Sequence, residues 1–230
     1  MPAKKKPLKK PTDKITVNSR AYGRHERAPR GSRSEAVLNP AMKAHGLRLL
    51  SSNIPAKLIK DALIPFRINF KGGMIWQRLL KHFAAQAKKG EQYSVAGIEN
   101  WEIRPDYPTG RILAAGVKIK SAEQISNLEV SLKYVFSKRV LERNTDTAFR
   151  ITLIFFFPDF ANNTIIVTPH VLPDKPVTDV ELTRFIIELP ADANSYLLCL
   201  KAEGCVNGVV SQNSGNVNKA MSFVGSGIRV

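Results

Sequence analysis

Residues 149–158 read Phe-Arg-Ile-Thr-Leu-Ile-Phe-Phe-Phe-Pro. Nearly every side chain before the closing proline is β-branched, aromatic or otherwise apolar, which is typical of strands. The stretch contains an uninterrupted apolar run from Leu153 to Phe157, and no such run in the chain is longer than five residues. Phe149–Phe157 and Thr164–Thr168 are apolar, β-branched and aromatic enough to be predicted as central strands.

Strand patterns continue on both sides of this stretch. From Leu128 to Phe136, apolar and polar residues alternate, which predicts a strand buried on one face. The turn signal Tyr107-Pro108-Thr109-Gly110 separates two further candidates. Seven or eight short strands without intervening helices predict an antiparallel β-sandwich over residues 91–230, and hence an α+β chain. The other candidate strands are 101–104, 111–118, 180–189, 195–200 and 222–230.

Before residue 91 the apolar period changes from two to about 3.6, which predicts a helical block over residues 37–90. Asn39-Pro40 is a helix-start signal, with Asn39 as the N-cap. Pro55 is predicted to open a second helix that Pro65 ends. A third helix is predicted from Met74 to Ala87, with Gly90 as its stop.

The charge of the chain is divided unequally along its length. Residues 1–90 hold 21 Lys and Arg against four acidic residues, a net charge of +17. Residues 91–230 hold 14 Lys and Arg against 15 acidic residues, a net charge of −1. Such asymmetry favours a basic segment that meets a polyanion, because clustered cations release counterions when they neutralise phosphates. A lysine-rich tail that only increases solubility is the alternative.

Residues 1–36 are predicted to be a basic flexible arm, disordered by itself or ordered by a partner. They contain almost no large apolar residues, so they bury too little surface to offset the entropy of ordering. The arginines recur every three or four residues, but Gly23, Pro29 and Gly31 oppose a continuous helix. The predicted nucleic-acid-binding residues of the arm are Lys4, Lys5, Lys6, Lys9, Lys10, Arg20, Arg24, Arg27, Arg30 and Arg33.

The order of these parts resembles a known family. The matching features are Asn39-Pro40 opening a pair of helices, Asn100-Trp101-Glu102-Ile103 entering the first strand, the apolar strand that ends at Pro158, and the stretch from Tyr196-Leu197-Leu198-Cys199 to Ser222-Phe223-Val224. Over most of residues 38–225 the chain resembles a β-rich bacterial family of unknown function that is common in the Bacteroidota. That family has a short hydrophobic N-terminal hairpin where this chain has its arginine series. The resemblance implies no known activity, so it assigns no functional residues.

The sequence offers no recognisable constellation for catalysis, metal binding or a cofactor. The histidines at positions 25, 45, 82 and 170 lack the short spacing of metal ligands. Cys199 and Cys205 are predicted to be buried thiols; a disulfide across a tight hairpin is the alternative. Glu99 and Glu102 are expected to be solvated residues near a strand edge. We therefore expect no enzyme activity, no cofactor and no metal.

Two further expectations concern location and role. The N-terminus has the charge of a signal peptide but no apolar stretch after it, so a cytoplasmic location without membrane contact is expected. The leading hypothesis is a binding or assembly protein whose arm contacts nucleic acid or another polyanion, while the β domain associates with itself or a partner. The alternative is a β-sandwich adaptor that binds protein or glycan, with the arm only solubilising.

Overall fold

The computed structural model has the α+β architecture that the sequence predicts, with two α-helices and antiparallel sheets. Backbone contacts divide the chain into two compact units, Met1–Leu47 and Arg48–Val230. The predicted division into residues 1–36, 37–90 and 91–230 stays a prediction. The structure describes residues 15–19, 23–27, 39–67, 70, 74–105, 108–121, 127–137, 140, 148–176, 181–191, 193–211 and 218–228.

Helix α1 runs from Pro40 to Leu63 and is followed by a 3₁₀ turn, Ile64–Arg67. Its start is confirmed: the side chain of Asn39 accepts a hydrogen bond of 2.8 Å from the backbone of Met42. The predicted helix break at Pro55 is wrong, since Pro55 lies inside one continuous helix. Pro55 is buried, so tertiary packing holds a helix that local propensity would interrupt.

Helix α2 runs from Ile75 to Lys89 and buries Ile75, Leu79 and Phe83. Gly90 ends it, as predicted, in the left-handed conformation with a φ of 75°. Its backbone N–H bonds to the carbonyl of Ala87, while that of Glu91 bonds to the carbonyl of Gln86. The two bonds satisfy carbonyls that the helix end leaves without partners.

The described residues of Arg48–Val230 form nine strands, two of them only two residues long. The short pair accounts for the excess over the predicted seven or eight strands. They are β3 (Leu113–Ser121), β4 (Asn127–Phe136), β5 (Ala148–Asp159), β6 (Thr164–Val171), β7 (Lys175–Pro176), β8 (Glu181–Glu188), β9 (Ser195–Val206), β10 (Val209–Val210) and β11 (Lys219–Ile228).

These strands form two antiparallel sheets. One sheet has the order β3-β4-β8. In the other, β5 and β9 pair at the centre, β6 and β7 pair with the outer edge of β5, and β10 and β11 pair with the outer edge of β9. The prediction that Thr164–Thr168 is a central strand is therefore wrong, because among the described strands β6 pairs with β5 alone. The predicted strand at 101–104 is wrong: of these residues, only Glu102 makes an isolated bridge, to Ser222 of β11.

Two hydrophobic cores meet at β5. The first lies between the two sheets, where Leu132 of β4 packs in the same cluster as Phe155 of β5. The second lies between the six-stranded sheet and the helices, where Phe156 of β5 shares a cluster with Ile59 and Phe83. The chain therefore places a sheet-on-sheet layer beneath a helical layer, which is the predicted sandwich with one outer face covered.

Candidate nucleic-acid interface

Part of the basic arm forms a two-stranded antiparallel ribbon, in which β1 (Ile15–Ser19) pairs with β2 (Gly23–Arg27). The β-branched sequence Ile15-Thr16-Val17 favours the first strand. Gly23 opens the second strand with a φ of +64°, a conformation that strains any other residue. The sequence predicts an arm without regular structure, and the ribbon differs from that prediction. The basic composition of the arm gives no sign of these two strands.

The ribbon contains two members of the arginine series, Arg24 and Arg27. Arg24 is exposed and pairs with Asn18 across the ribbon, while Arg27 is at the register position of Ile15. Arg24 and Arg27 are three residues apart in β2, and because a strand has a period of two, their positions do not share one face as they would on a helix. Next to Arg24, the His25 ring nitrogen Nδ1 lies 3.2 Å from the Gly23 carbonyl oxygen.

Of the ten cations predicted to bind nucleic acid, the structure describes the positions of Arg24 and Arg27 alone. The other eight lie outside the described residues. Trp76 of helix α2 is partly buried against the core between helix and sheet. The nucleic-acid-binding role of the arm therefore stays a prediction.

A polar network that sequence reasoning missed lies around Glu102. Its carboxylate accepts hydrogen bonds of 3.0 Å from both the backbone N–H and the hydroxyl of Thr109. The Thr109 hydroxyl oxygen is also 2.8 Å from that of Ser222 in β11. Thr109 and Ser222 are buried, at 6% and 4% exposure. Through Thr109, Glu102 is connected to Ser222 of β11 by hydrogen bonds. The expectation that Glu102 is a solvated residue is therefore wrong.

Arg78 of α2 completes this network from the helical side. Its guanidinium donates a 2.6 Å hydrogen bond to the backbone carbonyl of Glu102 and lies 4.6 Å from the centre of the Trp101 ring. Backbone hydrogen bonds link Trp101 and Ile103 to Phe223 and Met221 of β11. The loop is therefore bonded to both a helix and a strand, which supports a role in architecture.

The two carboxylates of this loop have pKa values shifted in opposite directions. Burial raises the pKa of Glu102, and the hydrogen bonds from Thr109 offset only part of that effect. The pKa of Glu99 is lowered chiefly because the Ser226 hydroxyl donates a 2.6 Å hydrogen bond to its carboxylate. Sequence spacing alone does not show this contrast, since it depends on which strand meets the loop.

The histidines lie in separate parts of the fold. His82 Nε2 is 3.1 Å from the Ser94 carbonyl oxygen, and its ring packs edge-on against Trp101. His170 of β6 stacks on Phe185 of β8, with 4.2 Å between ring centres, and so links the two sheets. Among the residues that the structure describes, no three His, Cys, Asp or Glu side chains lie together in a group that could hold a metal ion.

Both cysteines are free and buried, as predicted. The alternative of a hairpin disulfide is wrong, because Cys199 and Cys205 lie six residues apart in the single strand β9. At about 3.3 Å per residue, their backbones are too far apart to be bridged. Burial raises the pKa of both thiols, so neither has the thiolate character of a reactive cysteine.

No protein-family model and no curated protein matches the chain. The resemblance to a Bacteroidota family therefore stays a prediction. Over the described ranges of the chain, neither helix has the length and apolar character required to traverse a lipid bilayer.

Proposed function

We propose that this is a non-enzymatic, cytoplasmic binding and assembly protein: its basic arm contacts the phosphate backbone of nucleic acid, and its β domain self-associates. The observation that carries the proposal is the charge division, +17 over residues 1–90 against −1 over residues 91–230. Cations concentrated in one segment give affinity without reading sequence, since phosphate contacts position a protein and base contacts specify it.

The assembly half of the proposal is supported by strand β6. One edge of β6 pairs with β5, and no other described strand pairs with its outer edge. β6 contains no Lys, Arg, Asp or Glu, and Ile166 and Val171 are more than half exposed. Edge strands usually carry such charges against unwanted pairing, and here Pro169 is the only device of that kind. A second copy can therefore add antiparallel to β6 about a two-fold axis without like-charge repulsion along the strand.

Replacing the five arm arginines, Arg20, Arg24, Arg27, Arg30 and Arg33, with glutamine is expected to weaken binding to short fluorescent DNA and RNA. The logarithm of the binding constant should depend less steeply on the logarithm of salt concentration, by about 0.9 for each phosphate of duplex DNA that the variant no longer neutralises. Fluorescence anisotropy of the full chain across a salt series measures this slope.

The matched control replaces five helix lysines, Lys43, Lys57, Lys81, Lys88 and Lys89, with glutamine, which removes the same charge elsewhere. A full chain that ignores DNA, RNA and heparin at low salt would contradict the proposal. Equal slopes for the arm and control variants would show that net charge matters and the arm does not. The adaptor alternative would then gain support, because it gives the arm only a solubilising role.

Ile166→Lys is expected to weaken self-association at least tenfold, because it places a cation on the edge where two copies would pair. The measurement is analytical ultracentrifugation of the full chain over a concentration series. Ile54→Lys on helix α1 is the control, since Ile54 and Ile166 are almost equally exposed, at 53% and 52%. A wild-type chain that is monomeric at every concentration, or equal effects of the two substitutions, would exclude pairing through β6.

A further inference from the structure

The outer face of the three-stranded sheet carries a basic groove of about 580 Å³. The groove is basic although residues 91–230 together have a net charge of only −1. Its lining brings together cations from all three strands. Gly116, which has no side chain, also lines the groove. The charged and hydroxyl residues that line the groove are Lys118, Lys120, Glu129, Ser131, Lys133 and Arg184.

The strand register arranges these residues in rows. Lys118 and Arg184 flank Ser131 in one row, and Gly116 and Leu182 flank Lys133 in the next. Neighbouring strands are about 4.8 Å apart and alternate residues about 6.6 Å apart along a strand, so three cations surround the Ser131 hydroxyl within about 10 Å. Cations on two sides of a hydroxyl donor form an arrangement that suits a phosphate oxygen.

The cations of the groove are exposed, and within the described ranges none of them forms an ion pair with a carboxylate. Glu129 is the one described acidic residue in the lining. Like charges brought this close repel one another, so a bound anion relieves the repulsion and releases counterions. Charge complementarity therefore selects an anionic occupant.

We infer that this groove is a second contact for the phosphodiester backbone of nucleic acid, independent of the arm. Phosphates follow one another about every 3.4 Å along the axis of each strand, so the groove faces two or three of them. None of the outward-facing residues described on the three strands is aromatic, so the groove holds the backbone and does not stack bases. This inference rests on the proposed function in one respect: both assume that the ligand is nucleic acid.

The test compares full-length chains in the salt series described above. The groove variant Lys118→Gln, Lys133→Gln, Arg184→Gln is expected to reduce the salt slope by about two to three, or about one per cation. Its control, Lys57→Gln, Lys81→Gln, Lys88→Gln, removes the same charge from exposed helix positions and should change the slope by less than about one.

A second variant of the groove is expected to increase the affinity for nucleic acid. Glu129→Gln removes the acidic residue of the lining and is expected to tighten binding roughly two- to threefold, the Coulomb effect of one charge at about 7 Å in water. The groove is excluded as a contact if its three-cation variant behaves like the control, or if Glu129→Gln leaves affinity unchanged. Loss of heparin binding with unchanged DNA and RNA binding would also overturn the inference, in favour of a sulfated glycan.

The outcomes separate the two proposals. If the arm variant loses affinity while the groove variants match their control, the arm proposal stands and the groove inference fails. If the groove variants change the slope and the arm variant does not, the reverse holds.

Discussion

Replacing Phe156 with alanine is expected to lower the free energy of unfolding by about 3–5 kcal/mol. Phe156 is fully buried in the core between the helices and the six-stranded sheet, and its ring packs edge-on against Phe66 at 6.3 Å. Truncation there removes buried apolar surface and leaves a cavity beneath the helices. The effect is expected to be large because β5, which carries Phe156, lies between both hydrophobic cores.

Chemical denaturation followed by two signals measures this effect. Trp76 and Trp101 both pack against the second core, so their fluorescence reports on the helical layer, while far-ultraviolet circular dichroism reports on the whole fold. Ile166→Ala on neighbouring β6 is the control and should cost less than about 1 kcal/mol, because Ile166 is half exposed. A Phe156→Ala variant within about 1 kcal/mol of the wild type would show that the helices do not depend on this side chain.

Glu102→Leu is expected to destabilise the fold by roughly 1–3 kcal/mol, because it leaves the Thr109 N–H without its carboxylate acceptor. Glu102→Gln is the matched substitution, since its carbonyl oxygen can still accept that hydrogen bond. Denaturant unfolding of both variants at neutral pH tests the difference. Equal stability of the Leu and Gln variants would mean that the hydrogen bonds of Glu102 contribute nothing measurable.

The shifted pKa of Glu102 also predicts how the stability of the fold changes with pH. Burial raises the pKa of Glu102 above its ordinary 4.5, so the folded chain holds this proton more tightly than the unfolded chain. The resulting stabilisation is complete below the ordinary pKa and is lost as the pH rises through the raised value. As the pH rises from below the ordinary pKa through the raised value, the wild type should therefore lose stability relative to Glu102→Gln.

Glu99 supplies the opposite control. Its pKa is lowered by the hydrogen bond from Ser226, so its contribution is present above the ordinary pKa and is lost as the pH falls through the lowered value. The wild type should therefore gain stability relative to Glu99→Gln as the pH rises through that range. The same sign for both residues would contradict the network seen around Glu102.

The local sequence pattern is sufficient to predict an element whose structure depends mainly on its own residues. The alternation from Leu128 to Phe136 predicts β4, and the apolar stretch Phe149–Phe157 predicts a central strand; both predictions are confirmed. Asn39 and Gly90 also act where they are expected, because caps depend on neighbouring backbone groups. Each of these signals spans only a few residues.

Pattern is insufficient where distant parts of the chain meet. Pro55 predicts a helix break from the sequence, but it lies buried inside one continuous helix. Glu102 reads as a solvated residue until Thr109 and β11 are placed against it. The basic groove needs the register of three strands, which periodicity does not supply. The ribbon β1–β2 could not be predicted from the sequence, because the composition of the arm favours disorder.

The burial of β5 on both faces also has a consequence during synthesis. When β5 leaves the ribosome, the helices and β3–β4 have already been made, and β6 follows directly after Asp159. Strand β9, which pairs with the other edge of β5 and adds Leu197 and Cys199 to the helical core, begins only at Ser195. Until then the most apolar strand of the chain has an unpaired edge, and such edges recruit other chains. Nascent chains stalled between these two strands are therefore the form of this protein most in need of a chaperone.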